Sequence, residues 1–201
     1  MTQVEATMHG TRHTRVEHIT RALRDLSDTA LRTADEIEEQ LDRAAAMVQE
    51  TVARGGTLFF CGNGGSAADA QHMATEYMVR FARNRDAYPA IALTTDTSLI
   101  TAAGNDFGFD HIFERQVQAL CRSGDLLIIH STSGNSPNLL LAAAAAHVKG
   151  VQVLAFTARD GGALLSAADH CVIIPTERTD RAQELHLNIE HAICDLIEAT
   201  L

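Results

Sequence analysis

The sequence predicts an α/β protein, a single domain whose five-stranded parallel sheet is flanked by helices on both faces, with a helical arm on its N-terminal side. Two observations carry this expectation. After Gly56, five short apolar runs alternate with longer amphipathic or Ala-rich segments, the rhythm of strand–helix–strand crossovers and of strands buried on both faces. Two Gly/Ser-rich turns each follow such a run and open a helix, where open α/β sheets place their ligands. At 201 residues the chain is long enough for one domain with a substantial core.

The elements follow in order. Residues 1–14 are expected to be disordered or poorly ordered, and 15–201 to form the domain, with the arm at 15–54. In the arm, Ile19, Leu23 and Leu26, then Leu31, Ile37, Leu41, Ala45 and Val48 recur at three- and four-residue spacing, which specifies amphipathic helix. Ser27-Asp28 offers a helix N-cap and hence a break between two helices, and Gly55-Gly56 ends the second. The arm is long for a small domain, so it is expected both to cover the core and to pack against other subunits. Strands are expected at Thr57–Cys61, Ala90–Thr94, Leu126–His130, Val151–Thr157 and Cys171–Ile174. Between and after them, helices are expected near 66–83, 99–103, 110–120, 137–147 and 180–199.

Composition narrows the function. Hydrophobic residues make up 46% and charged residues 21% of the chain, a globular balance. A formal net charge of −10 argues against nucleic acid as a partner, because phosphate backbones need a basic surface. It leaves room for one small phosphorylated ligand held by a few backbone N–H groups. Cys61, Cys121, Cys171 and Cys194 form no C-x-x-C pair and read as reduced thiols. The polar first dozen residues lack a signal-peptide core, and no apolar run reaches membrane-spanning length. A cytoplasmic protein without membrane attachment is expected.

Two turns carry the anion chemistry. The first is Cys61-Gly62-Asn63-Gly64-Gly65-Ser66, whose glycines permit close backbone approach while Ser66 sits at a helix N-terminus. Alone, it reads equally well as a tight turn with Ser66 as N-cap. The second, Ser131-Thr132-Ser133-Gly134-Asn135-Ser136, places four hydroxyls in six residues, suited to an anion with several acceptor oxygens. Two such turns at strand ends favour binding, and the lack of a basic residue in either favours a monophosphate over a nucleotide. Further along the first helix, Asp69, His72, Glu76 and Arg80 share one face. His72 and Glu76, four apart, have the spacing of two ligands to one divalent metal or of an ordinary helix contact. On the last helix Gln183 and His191 can reach one pocket, whereas His186 reads as a core or interface histidine. Spacing alone leaves the metal site and the solvated face both open.

The segments CGNGGSAADAQHMATEYMVRF, AAGNDFGFDHIFERQV, STSGNS, ARDGGALLSAAD and DRAQELHLNIEHAICDLIE resemble the phosphoheptose isomerases, a branch of the sugar-isomerase (SIS) domain proteins. The resemblance runs in order from about Leu41 to Leu201 and is most specific in the Q-H-x-x-x-E and Q-E-x-H-x-x-x-x-H segments. It implies aldose–ketose isomerisation of sedoheptulose 7-phosphate to D-glycero-D-manno-heptose 7-phosphate through an enediol. It assigns substrate contacts to Asn63, Gly64, Gly65, Ser66, Glu76, Asn105, Asp106, Ser131, Thr132, Ser133, Ser136 and Gln183. It assigns one zinc ion per subunit to His72, Glu76, Gln183 and His191, and the acid/base pair to Glu76 and His191. A homotetramer with active sites at subunit interfaces is implied as well. Two other SIS roles are the non-catalytic adaptor for a replication initiator, which lacks the acid/base pair, and the sugar-phosphate sensor, which usually carries an attached DNA-binding domain. Tyr77-Met78-Val79 and His130 depart from the familiar pattern and leave substrate preference open.

Overall fold

In a computed structural model, which describes residues 12–201, the five strands form one parallel sheet. They are β1 (Leu58–Gly62), β2 (Ala90–Ala92), β3 (Leu126–His130), β4 (Gln152–Ala158) and β5 (His170–Ile174). Their order is β2-β1-β3-β4-β5, every neighbouring pair parallel, with Phe60 opposite Ile128 and Ile128 opposite Leu154. The helices are α1 (Arg12–Glu36), α2 (Glu38–Ala53), α3 (Gly65–Met78), α4 (Thr97–Phe107), α5 (Glu114–Leu120), α6 (Pro137–Val148), α7 (Leu164–Ala167) and α8 (Thr179–Thr200). A single 3-10 turn, Phe109–His111, lies between α4 and α5.

Period-two alternation sorts each strand between two cores. Leu58, Phe60, Leu126, Ile128, Leu154, Phe156, Val172 and Ile174 pack with Val48, Met73, Leu185 and Ile193 on the face covered by α2, α3 and α8. Their neighbours Phe59, Cys61, Leu127, Ile129, Val153 and Ala155 pack with Ile112, Val117, Leu139 and Ala143 on the other face. The expected double-sided sheet is therefore present, with strand ends within two residues of their expected places. The outermost β2 is shorter, ending at Ala92 instead of Thr94.

Two expectations shift, and one short helix is added. Ser27-Asp28 does not interrupt α1, which runs to Glu36; the break falls at Ile37, whose side chain turns into the core at 6% exposure. The local capping preference of Ser27-Asp28 is outweighed by the packing of Leu26 and Ala30 onto the core. Helix α3 ends at Met78 rather than Arg83, so Arg80 lies past the helix that carries His72 and Glu76. There the side chain of Glu198 takes the N–H groups of residues 81, 82 and 83. The short α7 inside ALLSAAD has no strong periodic signal. The segment 1–14 falls outside the described residues except for its last three, which lie in α1.

Helix α1 is tied to α8 by Asp25, which accepts from Arg181 (2.8 Å) and Arg178 (3.2 Å). Leu26 and Ala30 face the core, whereas Val16, Ile19, Leu23 and Leu31 stand exposed. Among the described residues no helix is long and apolar enough to cross a membrane. All four cysteines are free and buried, and burial pushes their thiols up.

Candidate active site

The strand order reverses between β1 and β3, the switch point at which an open α/β sheet leaves a crevice beyond its strand ends. The turns after these two strands are the two Gly/Ser-rich segments. Between them lies a cavity of about 200 Å³ lined by Asn63, Ser66, His130, Ser131, Thr132, Ser133, Ser136, Leu139, Thr179 and Gln183. Seven of the expected substrate-contact residues, Asn63, Ser66, Ser131, Thr132, Ser133, Ser136 and Gln183, are thus brought to one cavity from three separate segments. Gly64 and Gly65 sit exposed on the first turn beside it. Asn105 and Asp106 are not part of the lining; they are exposed near the end of α4, with Asn105 Nδ2 donating to Asp106 Oδ1 at 2.8 Å.

Each turn is locked by local chemistry. Asn63 and Asn138 exchange two amide hydrogen bonds of 2.9 Å, tying the first turn to the first turn of α6. In the second turn Gly134 N–H donates to the Ser131 carbonyl and hydroxyl, both at 3.2 Å. Gly134 has φ +65, and a Cβ there would lie 1.9 Å from the Gly161 carbonyl oxygen, so only glycine fits. Gly65 is required for a different reason: a Cβ would stand 2.6 Å from Gln183 Nε2. Gln183 can therefore lie over the turn and donate to Ser66 Oγ at 3.3 Å.

Helices α3 and α8 both start at this cavity and carry the second group of expected residues. With a rise of 1.5 Å per residue, His72 lies ~9 Å along α3 from Ser66, and His191 ~12 Å along α8 from Gln183. There His72, Glu76 and His191 converge, with one ligand atom from each within 4.8 Å of the others. His191 Nε2 faces His72 Nε2 at 3.0 Å, and His72 Nε2 is 3.3 Å from Glu76 Oε1. Two donors bound ~2.0–2.1 Å from one tetrahedral zinc lie roughly 3.3 Å apart. Two imidazoles and a carboxylate at this spacing therefore fit a zinc-type cation in chemistry and separation. Gln183, the fourth expected ligand, stands at the cavity end. Burial, then the neighbouring His72, pulls the His191 pKa down.

Below the cavity the structure reveals a buried pair whose partnership spacing could not show. His130 is fully buried, stacked between Phe60 and Phe156, and its Nε2 meets Glu190 Oε2 at 2.8 Å. Burial works against a charged His130, but the Glu190 charge and hydrogen bond, with Asp69 adding, leave its pKa raised. The period-two rule puts residue 130 on the face of Leu126 and Ile128, which was the available signal for its inward direction. Burial pushes the Asp69 carboxyl up. His186 is the core histidine expected: its Nε2 lies 2.9 Å from the Thr157 carbonyl and burial pushes it down to about 3. Phe81 and Thr179, a ring stacked on His191 and a cavity-lining hydroxyl, carried no motif signal.

Comparison with known proteins places this arrangement. A profile of the SIS domain family matches residues 5–158, further toward the N-terminus than the resemblance from Leu41. The chain is 47% identical over 174 residues to a phosphoheptose isomerase of Roseiflexus, covering 87% of this chain and 88% of that one. It superposes on the solved phosphoheptose isomerase of Neisseria gonorrhoeae with a TM-score of 0.87 at 40% identity, covering 93% of this chain and all of that one. With the phosphoheptose isomerase of Francisella tularensis the TM-score is 0.88 at 35% identity, over 93% of this chain and 100% of the other. Likeness of this depth, carried through sequence and fold over most of each chain, means that the chain belongs to the phosphoheptose isomerases, a family of SIS-domain proteins.

Proposed function

We propose that the chain is an aldose–ketose isomerase that converts sedoheptulose 7-phosphate to D-glycero-D-manno-heptose 7-phosphate through an enediol. One observation carries the reading. The hydroxyl-lined cavity lies at the first turns of α3 and α8, and the His72/Glu76/His191 cluster lies two to three turns along the same two helices, about 9–12 Å away along their axes. In the substrate the phosphate on C7 and the reacting C1–C2 unit stand at opposite ends of one carbon chain. The hydroxyls of Ser66, Ser131, Thr132, Ser133 and Ser136, with the Asn63 and Gln183 amides and the backbone of Gly64 and Gly65, hold the phosphate and orient the chain.

The reaction moves the C1 proton to C2 and the O1 hydroxyl proton to O2. Glu76 takes the carbon-bound proton and returns it to the adjacent carbon, while His191 serves the oxygens. His72, Glu76 and His191 would hold a zinc ion, one per subunit, with Gln183 swung from Ser66 toward them as the fourth ligand; bound there, the ion would polarise the substrate carbonyl. Assembly into a homotetramer completes the site at subunit interfaces, where Asn105 and Asp106 meet substrate. The exposed apolar stripe Val16, Ile19, Leu23 and Leu31 of α1 supports that assembly. Four free, buried cysteines fit a cytoplasmic enzyme. Convergence of the acid/base pair favours a catalyst over the non-catalytic adaptor.

The test is conversion of sedoheptulose 7-phosphate with and without a chelator, alongside Glu76→Gln. The variant is expected to lose turnover by two or more orders of magnitude while still binding inorganic phosphate. Turnover at the wild-type rate would remove Glu76 from the mechanism.

A further inference from the structure

The His72/Glu76/His191 cluster draws on two helices, so its geometry depends on whatever holds α3 and α8 in register. A polar knot just past the end of α3 does so. Glu198, in the last turn of α8, is 8% exposed, and its carboxylate accepts from three successive amides: Phe81 N at 2.7 Å, Ala82 N at 2.8 Å and Arg83 N at 2.7 Å. Arg85 Nε lies 3.0 Å from the same carboxylate. The other guanidinium nitrogens of Arg85 donate to the carbonyls of Tyr77 (2.9 Å) and Glu76 (2.8 Å) in the last turn of α3. One carboxylate thus binds the end of α3 to the end of α8 through a single arginine and three N–H groups.

The knot also reaches the cluster directly. Phe81, whose amide Glu198 holds, lays its ring on His191 with centroids 5.1 Å apart and planes at 25°. His191 also meets the His72 ring, with centroids 4.9 Å apart. Glu198 lies seven residues, about two helical turns, beyond His191 on the same side of α8. The donors around Glu198 outweigh the effect of its burial and hold its carboxyl down to about 2, so it is ionised at neutral pH.

We propose that Glu198 and Arg85 are positioning residues for the cluster: their knot sets the separation of α3 and α8 and seats Phe81 against His191, fixing the imidazole before a cation arrives. The proposal rests on the reading of His72, Glu76 and His191 as a metal site. Groups that orient ligands in this way typically contribute about 10–100-fold in metal affinity. In Glu198→Gln one oxygen becomes an NH2 facing N–H donors, so the three-amide clamp cannot re-form.

The experiment titrates the full-length protein with Co(II), followed by visible absorption, and with Zn(II) against a competing chelator; inorganic phosphate binding is measured in parallel. Glu198→Gln is expected to bind both metals about 10–100-fold more weakly, with phosphate affinity within twofold of wild type. Phe81→Leu keeps the clamp and removes only the ring contact; it is expected to weaken Co(II) several-fold and alter its absorption. Wild-type Co(II) affinity in either variant would overturn the proposal, as would an equal loss of phosphate binding, which marks general damage to the fold. Should Glu198→Gln not fold, Phe81→Leu decides on the same criteria. Absence of Co(II) binding by the wild type would instead overturn the metal reading itself, and the positioning role with it.

Discussion

Replacing His130 by leucine should destabilise the protein far more than its change in size suggests. His130 is fully buried and Glu190 is 4% exposed, and the two are joined at 2.8 Å. The imidazole lies between Phe60 and Phe156, surroundings that accept a leucine of similar bulk at a cost below about 1.5 kcal/mol. The larger loss comes from Glu190, left as a buried carboxylate without its partner, which typically costs about 3–5 kcal/mol. Removing both charges in His130→Leu/Glu190→Leu should restore most of that, since apolar replacement of a buried pair is commonly neutral or stabilising. Urea denaturation followed by circular dichroism, at fixed protein concentration and pH, measures all four corners of the cycle. The pH dependence has a definite sign. Burial works against a charged imidazole, but Glu190 from α8, Asp69 from α3 and the Cys61 carbonyl from β1 face it and leave its pKa above the ordinary 6.5. A group raised in the folded state contributes its full stability below about 6.5 and loses it as pH climbs through the folded value. Wild type should therefore lose ground to the double variant as pH rises above about 6.5. A single-variant cost below about 1 kcal/mol, a double variant no better than the single, or a pH-independent gap would refute the reasoning.

Other outcomes follow from the two turns. Gly65→Ala drives a methyl to within 2.6 Å of Gln183 Nε2; this should displace Gln183 from Ser66 and raise KM at least several-fold, with little change in thermal stability. Gly134→Ala meets the Gly161 carbonyl at 1.9 Å in a left-handed backbone, a clash between two main chains that should cost more than about 2 kcal/mol by thermal melting. Ser131→Ala removes a buried hydroxyl from the cavity and should weaken inorganic phosphate binding about tenfold by calorimetry, as expected for a hydrogen bond to a charged group.

What could be read in advance was what is local in sequence. Apolar runs such as Leu126–Ile129 reveal strands because both faces of the sheet are covered, and the hydroxyl turns announce themselves because their donors are contiguous. The end of α3 was misplaced because it depends on Glu198, more than a hundred residues away, competing for amides that the helix would otherwise use. The Ser27-Asp28 break failed because local capping preference is weak beside the packing of Leu26 and Ala30 onto the core. The His72/Glu76/His191 cluster stood between those cases. Each helix face was legible, but spacing within one helix says nothing about which turn of another helix will face it. The resemblance to the phosphoheptose isomerases supplied that pairing. His130 was noticed as unusual, yet its partner Glu190 could be found only once β3 and α8 were placed together.

The proposed phosphate site has no lysine or arginine in its lining, in a chain with a net charge of −10. Ser66 lies in the first turn of α3, Ser136 caps α6, and Thr179 opens α8. Three helix N-termini therefore meet at one small cavity, each with the equivalent of about half a positive charge. Arg181, buried in the first turn of α8, is engaged with Asp25 and Glu184 instead. A fixed field from backbone dipoles has one advantage over a mobile cation. It binds a monophosphate at a defined place without attracting the larger polyanions that a basic surface would gather. The acidity of the rest of the chain then reinforces selectivity, because an anion is welcome only where the three helices point. The same geometry gives α3 and α8 two tasks each. On the proposed function their first turns would hold the phosphate, while residues two to three turns along place His72, Glu76 and His191, so that the rigidity of two helices would measure the substrate from end to end.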